Sequence, residues 1–248
     1  MTLTGLVIAQ DEAQDLPACL AALSFCDERL VIDGGSRDET ADLARAAGAR
    51  VVVNPWPGYA AQRRFGLGLA RGEWVLAVDA DEIVDARLRA AVLAGVQHPG
   101  VAGYRLRVQN WLCGRRLRFG GMGHDDHLRL VRRSLATVSD RAVHEGFAVN
   151  GEVAALPGAL LHHSYATFSE FAQKADRYTT LAAEEAFAQG RRLSGLVTAL
   201  RLPWSFLRRY LLLLGFLDGY AGFVNAALQA HLDFLKGAKL REQWARQR

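Results

Sequence analysis

The chain of 248 residues is 50% hydrophobic and 23% charged, a balance that excludes a disordered chain and fits one or two folded domains. Thirty Lys and Arg against 26 Asp and Glu leave a net charge of +4, too mild for a protein that works by neutralising many phosphates, so no nucleic-acid partner is expected. Lys174, Lys236 and Lys239 are the only lysines, and arginine therefore supplies most of the positive charge, with a geometry suited to forked contacts with phosphates or carboxylates.

Leu3 to Ala9 reads as a buried strand, and Leu16, Leu20 and Leu23 then recur at helical spacing. The pattern repeats with a strand over Arg29 to Asp33, a Gly34-Gly35-Ser36 turn and an amphipathic helix over Arg37 to Ala47. Val51 to Val53 is a third strand, Tyr59 to Ala70 a helix closed by Gly72, and Trp74 to Val78 a fourth strand running into Asp79-Ala80-Asp81-Glu82. Alternating strands and helices, with nearly continuous apolar strands, predict an α/β fold with a parallel sheet covered on both faces. Ligands bind such sheets beyond the carboxyl ends of the strands.

From residue 101 to 165 short β-like runs (Tyr104 to Val108, Leu128 to Val131, Leu160 to His163) alternate with glycine-containing loops, which predicts an antiparallel extension of the same sheet. From Phe168 onward the helical period dominates. The expected division is a domain over 1–167, its halves meeting near residue 95, followed by a helical region over 168–248. Cys19, Cys26 and Cys113 are odd in number and show no CxxC spacing, and Met1 to Gln10 lacks a basic leader and cleavage site; a cytoplasmic, reducing location is expected.

Two acidic sites stand at strand ends. On an extended segment Asp79 and Asp81 would point the same way and present two carboxylates to one Mg²⁺ or Mn²⁺, whose shell substrate phosphate oxygens complete. The competing reading is a solvated acidic turn at a helix N-terminus. Asp33, ahead of a glycine turn that lets the backbone approach a ligand, can accept hydrogen bonds from a base or ribose; alternatively this turn caps the next helix, with Ser36 the better cap. The turn lacks the GxGxxG dinucleotide fingerprint.

LTGLVIAQDEAQDLPACLAAL, LVIDGGSRDETADLARAAGARV and GYAAQRRFGLGLARGEWVLAVDADE together resemble the donor half of inverting GT-A glycosyltransferases of family 2. The later segments DDHLRLVRR, AVHEGF, LLHHSY and LLGFLDGYAGF resemble one branch, the lipopolysaccharide inner-core β-1,4-glucosyltransferases. The resemblance implies a Rossmann-like GT-A mixed sheet with a helical C-terminal region, a UDP-sugar donor, and a lipopolysaccharide core or similar glycan acceptor. It places Asp33 on the uracil or ribose, Asp79 on the ribose, Asp79 and Asp81 on the metal, Gln62 or Arg63 near the donor, and His162 as a late metal ligand. Gln10-Asp11-Glu12 stands where an asparagine often precedes the glutamate, which makes Glu12 the donor contact to expect there.

Inversion requires one carboxylate to take the acceptor hydroxyl proton. Asp125 and Glu145 are the two candidates, and the resemblance favours Asp125. Either could instead pair with Arg129, Arg132 or Arg141 at the surface. Arg115 and Arg116, in an arginine-rich stretch, suit an anionic acceptor. Leu202 to Leu240 combines a helical apolar stripe, including Phe206, Tyr210 and Leu217, with Arg201, Arg208, Arg209, Lys236, Lys239 and Arg241. That pattern fits a helix resting on anionic lipid at the cytoplasmic face of the inner membrane and, equally, a helical hairpin packed on the catalytic domain. Two rival functions remain at this level. A nucleotidyltransferase would carry a basic glycine-rich triphosphate loop where QDEAQD stands, and a non-catalytic membrane-associated scaffold would have no need of an intact Asp79-Ala80-Asp81-Glu82.

Overall fold

The computed structural model describes residues 1–247 except 113, 124, 140–145 and 166; the side chains of residues 125, 163–165, 169, 170, 173, 174 and 177 also fall outside the description. The chain divides into two compact units, residues 1–108 with 125–162, and residues 109–124 with 163–248.

The first unit opens with β1 (Leu3–Ala9), α1 (Leu16–Ala22), β2 (Glu28–Asp33), α2 (Thr40–Ala46), β3 (Arg50–Val53), α3 (Tyr59–Leu69) and β4 (Trp74–Asp79). The four strands are parallel, in the order β3-β2-β1-β4. Strand side chains alternate between two cores. Val7, Val31, Leu76 and Val78 pack with Leu16 and Leu20 of α1, whereas Leu6, Ile8, Leu30, Ile32 and Val75 pack with Leu67 of α3. The two clusters are the covered faces expected from the alternating pattern. Gly66 brings α3 onto the sheet, since a Cβ there would stand 2.5 Å from Leu6 Cδ1.

After a turn come β5 (Glu82–Val84) and α4 (Ala86–Gly95), whose first turn is capped by the Asp85 carboxylate accepting from Leu88 N at 2.6 Å. β6 (Val101–Leu112), β7 (Arg115–Arg116) and β8 (Asp125–Arg132) follow, and β8 lies antiparallel to both β4 and β6. β9 (Ala136–Ser139) and β10 (Gly146–Val149) pair separately, β11 (Glu152–Ala155) joins β6, and β12 (Leu160–Tyr165) runs antiparallel to β5. The antiparallel extension is present, but β11 is parallel to β6.

In the second unit the outer end of β6 pairs with β7. α5 (Phe168–Ala188), α6 (Gly195–Leu207) and α7 (Gly219–Arg246) make up its helical part, with α6 passing into a π turn at Arg208–Leu212 and a 3₁₀ turn at Gly215–Asp218 preceding α7. Phe171 and Ala175 of α5 pack on Leu232 of α7, and Lys239 Nζ lies 2.7 Å from Asp176 Oδ1. Among the described residues no single helix is long and apolar enough to cross a membrane; Gly195–Leu212 and Gly215–Arg246, bent by 72°, pass that test only as a pair.

Candidate functional site

The loops following β1 and β2 are laced together. Asp11 N donates to Ser36 Oγ at 2.9 Å, Arg37 N to Asp11 Oδ1 at 2.8 Å, Glu12 N to Thr40 Oγ1 at 2.8 Å and Gly34 N to Ala9 O at 2.8 Å. Asp11 adopts a left-handed conformation, φ 56°, in making these bonds. Asp33 is buried and folds its carboxylate over its own turn. Oδ2 accepts from Gly35 N and Ser36 N, both at 3.1 Å, and Oδ1 accepts from the Ser36 hydroxyl. Ser36 is therefore no helix cap, and α2 begins at Thr40, later than the sequence pattern suggests, because these side chains claim the turn's backbone donors.

Gln62 is fully buried, and its amide closes on Asn54 through bonds of 2.6 and 2.9 Å, which fixes the loop after β3. Next to it in sequence, Arg63 reaches the end of β4, where Nη2 lies 3.0 Å from Asp79 Oδ1. From β8, Arg129 Nη2 donates to Asp79 Oδ2 at 2.7 Å and to Glu82 Oε1 at 3.3 Å, while Glu82 Oε2 accepts from Asp79 N at 2.8 Å. Arg129 Nη1 is buried without a hydrogen-bond partner among the described residues. Such an orphan costs about 1–3 kcal/mol, a tension retained where Arg129 bridges two carboxylates.

The segment does not stay extended through Asp81. Ala80 and Asp81 form a turn between β4 and β5, so Asp79 and Asp81 engage different partners. Asp81 Oδ2 lies 3.2 Å from His162 Nε2 on β12, whose backbone is in register with Glu82 of β5. The antiparallel β5–β12 pairing is what sets this pair. A carboxylate oxygen and an imidazole nitrogen this close are a donor set suited to a transition-metal dication such as Mn²⁺, whose remaining positions substrate oxygens would fill. Among the described residues no group of three His, Cys, Asp or Glu side chains is assembled as a metal cage. Asp79, already held by two guanidiniums, keeps 30% of its side-chain surface exposed.

The electrostatics follow from this arrangement. Burial opposes the Asp79 charge, but Arg129 and Arg63 outweigh it and hold the carboxyl well below the usual range. Burial pushes the Glu82 carboxyl up to about 7, with the Asp79 charge adding to the shift and Arg129 opposing it. Burial also opposes the His162 charge, yet the Asp81 hydrogen bond and the surrounding carboxylates raise the imidazole to about 9. Cys19 lies beneath the site with Sγ 3.5 Å from Asp79 O, and burial pushes its thiol well above the ordinary value.

Asp125 heads β8 with its backbone opposite Val108; its side chain, and Glu145 altogether, lie outside the described residues. Arg115 and Arg116 are exposed on β7 in the second unit. The structure gives two residues roles that the sequence did not assign: Glu82 is a buried partner, and Arg129, expected as a surface partner for Asp125 or Glu145, is instead buried and bridges Asp79 and Glu82. A single charge inside the apolar run Leu128 to Val131, on a strand expected to join the core, was the available signal.

Residues 6–134 match Glycosyl transferase family 2. The chain is 31% identical to the lipopolysaccharide core biosynthesis glycosyltransferase LpsC of Rhizobium meliloti, over 99% of this chain and 94% of that one. It is 27% identical to an uncharacterized glycosyltransferase of Rickettsia typhi, over 96% of this chain and 86% of that one. Among solved structures it is similar to glucosyl-3-phosphoglycerate synthase from Mycobacterium tuberculosis, crystallised with Mn²⁺, UDP-glucose and phosphoglyceric acid, at 16% identity and a TM-score of 0.47, covering 78% of this chain and 81% of that one.

Proposed function

The chain belongs to glycosyl transferase family 2 and is a glycosyltransferase; from that premise we propose that it moves a sugar, glucose foremost, from a UDP-sugar to a lipopolysaccharide inner-core or similar glycan acceptor, with inversion. The likeness to LpsC along nearly the whole length of both chains supports the acceptor class. The working location is the cytoplasm, at the inner face of the inner membrane.

The observation that carries the donor half is the cluster at the end of β4, in which Arg63 and Arg129 hold Asp79 while Asp81 meets His162. Asp81 and His162 would hold a Mn²⁺ or Mg²⁺ ion, with Asp79 beside them. When bound, such an ion supplies positive charge where the departing diphosphate gathers negative charge. Arg63 and Arg129 keep Asp79 ionised and fixed, so its exposed edge is oriented before a ribose arrives. Glu12, on the loop after β1, and Asp33, the last residue of β2, are assigned to the nucleotide, and Gln62 keeps the loop after β3 in place through Asn54.

Asp125 is the proposed base, with Glu145 the second candidate. The acceptor oxygen forms its bond to the anomeric carbon as the carboxylate takes the hydroxyl proton, and the sugar–phosphate bond breaks on the opposite face, its electron pair leaving with UDP. A single displacement of this kind needs no enzyme nucleophile and inverts the anomeric centre. Arg115 and Arg116 are assigned to an anionic acceptor.

Thermal shift with UDP-glucose, UDP-galactose, UDP-N-acetylglucosamine and GDP-mannose, with and without Mn²⁺, tests the donor and the metal together. Ligand at a hundred times its Kd adds about 2.7 kcal/mol, several degrees for a chain of this size. The expected result is a UDP-glucose shift that needs Mn²⁺. A metal-independent shift would overturn the metal assignment, and a response to GDP-mannose alone would overturn the donor.

A further inference from the structure

Between residues 186 and 217 the chain has no Asp or Glu, and its only charged side chains are Arg191, Arg192, Arg201, Arg208 and Arg209. Over this stretch α6 is turned inside out. Its buried positions are the polar Thr198 and Ser205, and Ser205 donates to Asp233 of α7 at 2.7 Å. Large apolar side chains take the outer face instead: Leu196 is 70% exposed and Trp204 60%, and beyond α6 Leu212 in the π turn is 65% exposed and Tyr220, just past the bend, 76%. Of the 22 exposed large hydrophobics among the described residues, 13 fall between residues 196 and 223, a concentration far beyond the scattered apolar exposure of an ordinary surface.

The patch has a defined shape. α6 ends in the π turn, Leu214 takes a left-handed conformation at φ 59°, and the chain turns into α7 across the 72° bend. Phe206, Tyr210 and Phe223 brace the inside of the bend, with ring centroids 5.3 to 5.8 Å apart. Arg209 is anchored on Asp233 at 3.0 Å, and Asp218, the first acid after the stretch, is occupied by Arg118 N and Phe119 N, both at 2.8 Å. The result is a braced apolar wedge with an acid-free, arginine-bearing flank.

We infer that this wedge, residues 196–223, inserts into one leaflet of a bilayer containing anionic lipid, with Trp204 and Tyr220 at the headgroup level and Arg201 and Arg208 on lipid phosphates. Charge decides the occupant. Two copies meeting on this face would bring Arg201 and Arg208 against their counterparts while the acids on or beside the wedge, Asp218 and Asp233, are already engaged by Arg118 N, Phe119 N and Arg209, whereas an anionic leaflet attracts both arginines. Geometry sets the depth. Neither helix is long and apolar enough to span, and the sharp bend suits shallow burial at the acyl boundary, with arginine stems reaching back to the headgroups. The wedge deepens the membrane-face part of the proposed function and rests on that reading for its biological setting, but it lies wholly in the second unit and uses none of the donor chemistry.

The test is flotation of the full chain with vesicles of roughly one-third phosphatidylglycerol in phosphatidylcholine, against pure phosphatidylcholine. Binding to the anionic vesicles alone, with a blue shift of tryptophan emission that Trp204→Phe largely removes, is expected. Arg201→Gln with Arg208→Gln should lower partitioning about 25-fold, from a factor of about five per basic residue. Leu211→Ser with Leu212→Ser should abolish binding while leaving the circular dichroism unchanged; if that variant fails to fold, quenching of Trp204 by brominated lipid, with Trp204→Phe as the blank, reads insertion in the intact chain. Asp81→Asn should bind vesicles like the parent protein even if turnover is lost, which separates failure of the wedge from failure of the donor site. Absence of flotation, equal binding to both vesicles, or a lipid-free dimer that Leu212→Ser splits would overturn the proposal.

Discussion

Arg129 Nη2 sits 2.7 Å from Asp79 Oδ2 and 3.3 Å from Glu82 Oε1, so one guanidinium on β8 joins the end of β4 to the start of β5. Removing one partner of a buried pair leaves the others uncompensated, and Arg129→Met should lower stability in urea by about 3–5 kcal/mol, less whatever Glu82 recovers by taking up a proton. Arg129→Lys keeps the charge but loses the fork, and should fold nearly normally while losing turnover. A loss below about 1 kcal/mol for Arg129→Met would place the bridge among ordinary surface pairs.

Asp81 and His162 should act as one unit toward metal. Asp81→Asn and His162→Ala are each expected to raise the Mn²⁺ concentration giving half-maximal donor binding by at least about tenfold, with the double variant little worse than either single one. Calorimetric titration of Mn²⁺ in the presence of UDP checks this. Additive losses would indicate two separate roles.

Two glycines of α3 should respond with opposite sign to the same change. A Cβ at Gly66 would stand 2.5 Å from Leu6 Cδ1 and 3.1 Å from Ile32 Cγ1, whereas one at Gly68 meets nothing within 4 Å. Gly66→Ala should be destabilising, because overpacking of about 1–3 kcal/mol exceeds the gain in helix propensity. Gly68→Ala should add up to about 1 kcal/mol. Urea midpoints of the two variants decide the matter.

Glu28 sets part of the acid limit of the fold. Burial opposes its charge, but Arg71 N, the Thr4 hydroxyl and Arg50 together lower its carboxyl from the ordinary value. A group depressed on folding stabilises fully above its unfolded pKa, about 4.3, and loses that contribution as pH falls through the lower folded value. Glu28→Gln should therefore be less stable than the parent at neutral pH, and the difference should shrink below about pH 4.3. Thermal midpoints from pH 7 to 3 would show it; a gap that stays constant would exclude the linkage.

The first four strands and their helices were legible because each carries one uninterrupted local signal, and β1 over Leu3–Ala9 coincides with its apolar run. Strand pairings across long sequence separations were not. Nothing within LLHHSY announces that His162 will pair opposite Glu82, or that Arg129 will come to lie on Asp79 fifty positions earlier. The turn at Ala80–Asp81 escaped for a related reason. A strand's alternation predicts side-chain direction only while the strand continues, and here it ends at Asp79. The inverted burial of α6 is likewise hidden from periodicity, which locates an apolar stripe but not the side that faces its neighbour.

The turn over which Asp33 closes has a practical bearing on how variants of this chain are interpreted. Its carboxylate is the keystone of residues 33–36, and through Ser36 it steadies Asp11 on the neighbouring loop. A dead Asp33→Ala variant would thus report collapse of this turn before it reported anything about the proposed nucleotide contact. Tests of the proposed donor contact belong on side chains whose truncation leaves that keystone standing.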